Sequence, residues 1–204
     1  MNNKTGAMRI LPAKQKKCRK NERLSTSTTP PPANGVYKVG QVGPGGGIVF
    51  YVSAAPFASP GSDCANSCRY LEAAPAAGEV KLSWASFENS SVSVPAAAAS
   101  SIGSGMSNST AIQAQPGNTA SNSAAVYALD YVNGGKSDWH LPSKGELDEL
   151  YVSRKIVGFV NDGYYHWSST ENDIVGAKSR GLVYGDDRSI TKSTSLKVRP
   201  LRAF

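Results

Sequence analysis

The chain has 204 residues, with 40% hydrophobic residues, 20 glycines and a formal net charge of +7, enough for one domain plus an extension. A modest apolar content beside abundant Gly, Ser and Ala argues against a helical bundle and for a loop-rich domain, and no apolar run is long enough to span a membrane. The charge is not a nucleic-acid signature of that domain: residues 1–25 hold Lys4, Arg9, Lys14, Lys16, Lys17, Arg19, Lys20 and Arg23 against Glu22 alone, and the remainder holds 14 basic and 14 acidic residues.

Residues 1–34 read as an extended arm. They are polar and basic, and they close on Ser25-Thr26-Ser27-Thr28-Thr29-Pro30-Pro31-Pro32, where consecutive prolines favour polyproline II, a semi-rigid spacer. Lys14, Lys16, Lys17, Arg19, Lys20 and Arg23 are candidate anchoring residues for an acidic surface on a neighbouring subunit. A solvated tail is the alternative. The arm begins with charge and has no apolar region before its basic cluster, unlike a secretory signal.

Residues 35–204 read as one domain. After the turn signal Asn34-Gly35, residues 36–40 are expected as a short strand. The glycine loop Gly43-Pro44-Gly45-Gly46-Gly47 leads into a core strand at 48–52. No Lys-Ser/Thr and no helix follow those glycines, so they suit a hairpin with close backbone approach better than a phosphate loop. Cys64 and Cys68 lie in a Gly/Ser/Pro loop. A short-loop disulfide is the preferred reading, with an oxidising destination, over two free thiols. A zinc site lacks further ligands nearby.

A strand is expected at 70–74, a buried aromatic anchor at Trp84 and a long surface loop over 86–105. Helices are expected at about 107–115 and 121–132. Ser143 and Glu146 form a capping box that opens a helix to about 155, its apolar stripe formed by Leu147, Leu150 and Tyr151. A turn follows at Asn161-Asp162-Gly163. Three strands are then expected near 164–169, 178–184 and 195–200, with Gly185-Asp186-Asp187-Arg188 joining the last two. Helices followed by antiparallel strands give an α+β domain.

Several stretches carry a family resemblance: residues 138–151 (DWHLPSKGELDELY), 164–171 (YYHWSSTE), 198–204 (VRPLRAF), 42–52 (VGPGGGIVFYV) and 68–75 (CRYLEAAP). Residues 36–204 resemble the C-terminal domain of bacterial collagen-like adhesins and of many secreted and phage proteins. The resemblance implies a C-type lectin-like fold, of the variety shared with formylglycine-generating enzymes, with short antiparallel strands, two or three helices and long loops.

The enzymes of that fold need cysteines in the C-terminal half, or a cluster of His and carboxylate ligands. Here no cysteine lies beyond Cys68, and His140 and His166 are the only histidines. His140 is expected to be structural, and strand alternation places His166 outside if Trp167 is inside. Catalysis, a metal and a cofactor are therefore not expected. Gln115-Pro116-Gly117 lacks the acidic residue of the calcium-dependent sugar motif, and Asp186-Asp187 reads as a hairpin turn.

In phage tropism proteins of this fold the C-terminal strands and loops present the ligand-binding face. The resemblance places that face at 164–193, with Tyr165, His166, Glu171, Asn172, Asp173, Lys178, Arg180, Tyr184, Asp186, Asp187 and Arg188 as its candidate residues. Rigid aromatics mixed with short polar groups suit an adaptable binding surface, and a plain polar outer face is the alternative. Trp167, Val183, Leu196 and Val198 are expected in the core.

The functional expectation is a non-enzymatic binding and display module. It would be a phage virion fibre, tail or capsid-decoration protein, held by its arm and binding a host-surface protein or glycan. A secreted or cell-surface adhesin is the alternative, and a formylglycine-generating-type enzyme the third reading. A homo-oligomer is expected because multiple copies add avidity, with no heptad stalk to specify one.

Overall fold

A computed structural model describes residues 35–159 and 164–204. The basic arm and the turn expected at Asn161-Asp162-Gly163 lie outside the described residues. The architecture is α+β. Strands β1 (Ile48–Phe57) and β2 (Cys68–Ala73) come first, then β3 (Val80–Leu82). Helices α1 (Gly105–Gln113), α2 (Ala124–Asp130), α3 (Lys144–Val152) and α4 (Arg154–Val157) follow. Strands β4 (Tyr165–Glu171), β5 (Gly176–Gly181), β6 (Asp187–Thr191), β7 (Leu196–Val198) and β8 (Leu201–Ala203) complete the order.

Two sheets result, one ordered β1-β2-β8 and the other β3-β7-β4-β5-β6. Pairing is antiparallel except between β4 and β7, which run parallel through His166 and Lys197. Each sheet has its own core. Trp84, Trp167, Ile112, Leu141 and Val198 pack beneath the five-stranded sheet with the alanines of α2. Phe50, Leu71, Leu147, Leu150 and Leu201 fill the space between α3 and the three-stranded sheet. The helix signal at Ser143 forms as read: its hydroxyl accepts from the Glu146 N–H, and the Glu146 carboxylate accepts from the Ser143 N–H.

Five expectations are corrected. Residues 36–40 form no strand: a turn at Lys38–Gln41 with the left-handed Gly40 (φ +94) breaks the extended run, and the chain meets β1 through Gly40 and Gln41, which bond Val49. Residues 86–105 are not merely a surface loop. They carry two short 3₁₀ turns, at Phe87–Asn89 and Pro95–Ala97, and bury Val94 and Ala97. The strand expected at 195–200 is two strands in different sheets. Pro200 has no N–H to donate and ends the ladder between β7 and β8. The turn at 182–186 accordingly joins β5 to β6. Val183, expected in the core, is only half-buried, and Leu182 is the buried neighbour.

His166 is the fifth. Alternation places it outside, yet it is 2% exposed. Both faces of β4 are covered, so alternation on this strand distinguishes two interiors rather than inside from outside. Trp167 enters the helical core, while His166 packs edge-on against Phe159 and its Nε2 lies 3.2 Å from Glu79 Oε2. The buried hydroxyls of β4 are each bonded: Ser168 to the Lys178 carbonyl, Ser169 to that of Pro142 and Thr170 to that of Ala99.

Cys64 and Cys68 are joined, with Cα atoms 5.0 Å apart. The glycine loop closes around an internal anion. The Gly45 and Gly47 N–H groups donate to the two oxygens of Glu72, at 2.9 and 3.0 Å. Arg202 donates to the same carboxylate at 3.2 Å, and also to Asp138 and Asp63. Burial pushes the Glu72 carboxyl above its ordinary value, against those donors. The glycines are needed for room: a Cβ on Gly45 would sit 2.7 Å from both Glu72 Oε1 and the Trp139 ring.

A second network joins Glu79 to His166, Lys197 and Arg199. Burial opposes ionisation of Glu79, but the His166 hydrogen bond and the two cations outweigh it and hold the carboxyl at about 2. Burial holds the His166 imidazole below its ordinary value.

Two outcomes follow from these contacts. Gly45→Ala lowers the urea unfolding midpoint, at a cost of about 1–3 kcal/mol from overpacking; an unchanged midpoint would contradict the glycine cradle. Stability also falls on acidification in two stages. The unfolded chain takes up a proton at histidine below about pH 6.5 while buried His166 resists it, and then takes one up at glutamate as pH drops from about 4.5 toward 2 while Glu79 stays ionised. The second stage removes about 3 kcal/mol. Glu79→Gln flattens that limb in pH-resolved denaturation, and an unaltered limb would exclude Glu79 as its source.

Candidate functional site

The clearest polar cleft opens where the N-terminus of α3, the β4–β5 turn and the β5–β6 hairpin meet. It has a volume of about 310 Å³ and is lined by Lys144, Asn172, Lys178, Asp187, Arg188 and Ser189. Its position follows from local chemistry. The capping box fixes the first turn of α3, and the Lys144 N–H donates to Thr170 Oγ1 at 3.0 Å, tying that turn to β4. The β4–β5 turn is held by Asp173, whose carboxylate accepts from the Val175 and Gly176 N–H groups. These bonds and the Asn172 amide hold Asp173 below its ordinary range, the amide first. Register then sets Lys178 opposite Ser189 and Arg180 opposite Asp187, and directly opposed residues share one face of the sheet.

The charges of the cleft are mostly cancelled within it. Lys144 lies 2.5 Å from Asp148 and 3.0 Å from Asp187, and Arg180 lies 2.6 and 2.8 Å from the same two carboxylates. Two cations and two anions thus form a closed ring. Tyr151 sits between two guanidinium groups, with Arg154 and Arg180 at 4.1 and 4.4 Å from its ring centroid. Arg188 pairs with Asp186 at 3.1 Å and donates to Tyr165 Oη at 2.6 Å. The Tyr165 hydroxyl also bonds Asp186. That contact holds the Asp186 carboxyl low, with Arg188 reinforcing it, and the phenol high, with Arg188 opposing it. Lys178 stands apart: half-buried, it meets no carboxylate among the described residues.

The candidate face is therefore divided. Asn172, Lys178, Asp187 and Arg188 line the cleft, and Arg180 backs it. Tyr184 projects from the hairpin tip, 85% exposed, while Asp173, Tyr165 and Asp186 hold the adjoining turns. Two residues do not belong. His166 is buried against Glu79. Glu171 is buried too, receiving the Lys192 ammonium at 2.6 Å and the Val94 N–H at 2.7 Å. Lys192 spends its other two donors on the carbonyls of Val92 and Ile174, which completes a structural clamp. Lys144 and Ser189 were missed. Lys144 lies outside the 164–193 window, and its spacing to Asp148 on one helix was the available signal.

The cleft holds donors, acceptors and one unneutralised cation, an arrangement suited to holding a ligand. Neither histidine reaches it. His140 is fully buried with its Nε2 3.2 Å from Glu146, so its role is in the helix cap rather than at the surface. A second hollow of about 300 Å³, lined by Val42, Ile48, Ala74, Pro75, Val157 and others, is apolar. Among the described residues no helix is long and apolar enough to cross a membrane.

No family model matches the chain, and no curated protein does. Among solved structures the chain is similar to a fimbrial protein from Bacteroides ovatus, at 15% identity and a TM-score of 0.46. The match covers 78% of this chain but 44% of that protein's length. A likeness at that level carries no argument about what this chain does, so the reading of function rests on the site itself.

Proposed function

We propose that the chain is a non-catalytic binding module displayed at an extracellular surface, with the cleft and the hairpin tip around it as the contact face. One observation carries this reading. Lys144, Lys178, Asn172, Asp187 and Arg188 gather around one solvent-facing cleft, with Tyr184 exposed at the tip of the adjoining hairpin, while both histidines are buried against carboxylates and the Cys64–Cys68 pair is oxidised. The exposed groups suit recognition, and the buried ones lack access to a substrate. The disulfide fits an oxidising destination. A frame of sheets and ion pairs beneath short loops suits a site that must keep its shape. The C-type lectin-like reading of the fold draws on the tryptophan corner at residues 138–142, where buried Trp139 precedes α3, and on the chain returning through β8 to pair with β2.

The virion and adhesin readings share this face and differ in what holds the protein. The segregated basic arm favours anchoring in an assembly, with a host-surface protein or glycan as the outward partner. Binding of labelled protein to intact bacterial cells, measured by flow cytometry, tests the face. Tyr184→Ala with Arg188→Ala lowers apparent affinity at least tenfold without moving the melting temperature, since both side chains are exposed. Undiminished binding would remove the face from consideration. Deleting residues 1–34 leaves cell binding intact and abolishes retention in the parent particle; retention of the truncated protein would sink the anchoring role.

A further inference from the structure

We infer that the cleft between α3 and the β5–β6 hairpin takes a small carboxylate ligand bearing hydroxyl groups, a sugar acid in chemical class, with Lys178 as its anchor. The inference rests on the reading of the chain as a binding module, and it adds the chemistry of the ligand.

Three cations line the cleft. Lys144 is neutralised by Asp148 and Asp187, and Arg188 by Asp186. Asp187 is itself held by Lys144 and Arg180. Lys178 is left with no carboxylate among the described residues, half-buried in a concave wall where its charge is screened less than on an open surface. An ammonium so placed lacks an anion.

The neighbours of Lys178 describe the rest of the ligand. Ser189 lies directly across the hairpin with its side chain exposed, offering a hydroxyl that donates or accepts. Asn172 gives one amide N–H to Asp173 at 2.7 Å, which leaves its other N–H to donate and its carbonyl oxygen to accept. An acceptor carbonyl and a hydroxyl call for donors on the ligand, which hydroxyl groups supply and a simple acid does not. The volume of about 310 Å³ is at the small end of ligand sites and suits one ring rather than a chain of residues. The rigid ring of Lys144, Arg180, Asp148 and Asp187 holds the floor of the site before any ligand arrives.

The test is a titration of the full ¹⁵N-labelled chain with sodium glucuronate, following backbone amide shifts. Saturable shifts are expected at residues 144, 172, 178 and 187–189 at millimolar ligand, with none from glucose. Raising the salt concentration weakens the binding. Lys178→Met keeps the aliphatic stem, removes the charge and weakens affinity at least tenfold with an unchanged melting temperature. An absent or unsaturable response, an equal response to glucose, or salt-independent binding would overturn the assignment, the last two even if the variant fails to fold. N-acetylglutamate binding as tightly as glucuronate would overturn the sugar class in favour of an acidic peptide. Adherence to cells without glucuronate binding overturns this inference alone. Glucuronate binding without adherence supports it and counts against the module reading.

Discussion

The guanidinium of Arg202 is the constraint on which the first sheet and its surroundings depend. It is 2% exposed, yet it meets Glu72 on β2, Asp138 before the tryptophan corner and Asp63 beside the disulfide. A buried charge is expensive to desolvate, and such a network is weak evidence of stability in itself. Its effect is on arrangement. The 63–72 region and Asp138 must both meet the C-terminal strand, because Arg202 without Glu72 and Asp138 would be a charge buried without a buried partner. The glycine loop is fixed by the same logic: its N–H groups complete the shell of Glu72 from the side Arg202 does not cover. The disulfide closes the turn that presents Asp63, so covalent and ionic restraints act on one loop.

The outer face inherits its order from a similar device on the other sheet. Lys192 is buried with all three donors used, and its partner Glu171 also takes the Val94 N–H. That pair ties the end of β4 and the end of β6 to the 86–105 segment. The cleft residues stand on strands and a helix end whose positions are set from below, so little of the face depends on loop conformation. Polar groups thus serve opposite duties in this domain: bonded into structural clamps such as Lys192–Glu171 beneath the sheet, and turned toward solvent at the cleft.

Features that depend on neighbouring residues were legible in the sequence. The capping box at Ser143 and Glu146, the tryptophans as core, the cysteine pair in its loop and the α+β order all rest on local chemistry. Features that depend on what covers a strand were not. His166 and Glu171 looked like surface residues because alternation assumes one wet face, and β4 has none. The Gly-Pro-Gly-Gly-Gly run announced close approach, but not that a glutamate 25 residues on would fill it. Pro200 was visible and its effect understated: it hands the chain from one sheet to the other. The cleft was half legible, since its strand residues fell in the expected window while Lys144 came from a helix read for its cap and its apolar stripe.

The order β1-β2-β8 has a bearing on how the molecule reaches this state. Arg202 and Glu72 are 130 positions apart, and β8 is the strand that pairs with β2. Closing so long a loop is slow relative to forming local turns. The cysteine pair, four residues apart, belongs to the early and local events, and the capped helix does too. The first sheet belongs to the late ones. Until β8 docks, the glycine loop cradles an acid with no counter-charge, and β2 presents a bare edge of the kind that invites pairing with other chains. A long-range step in assembling this domain is thus also the one that hides the free edge of β2.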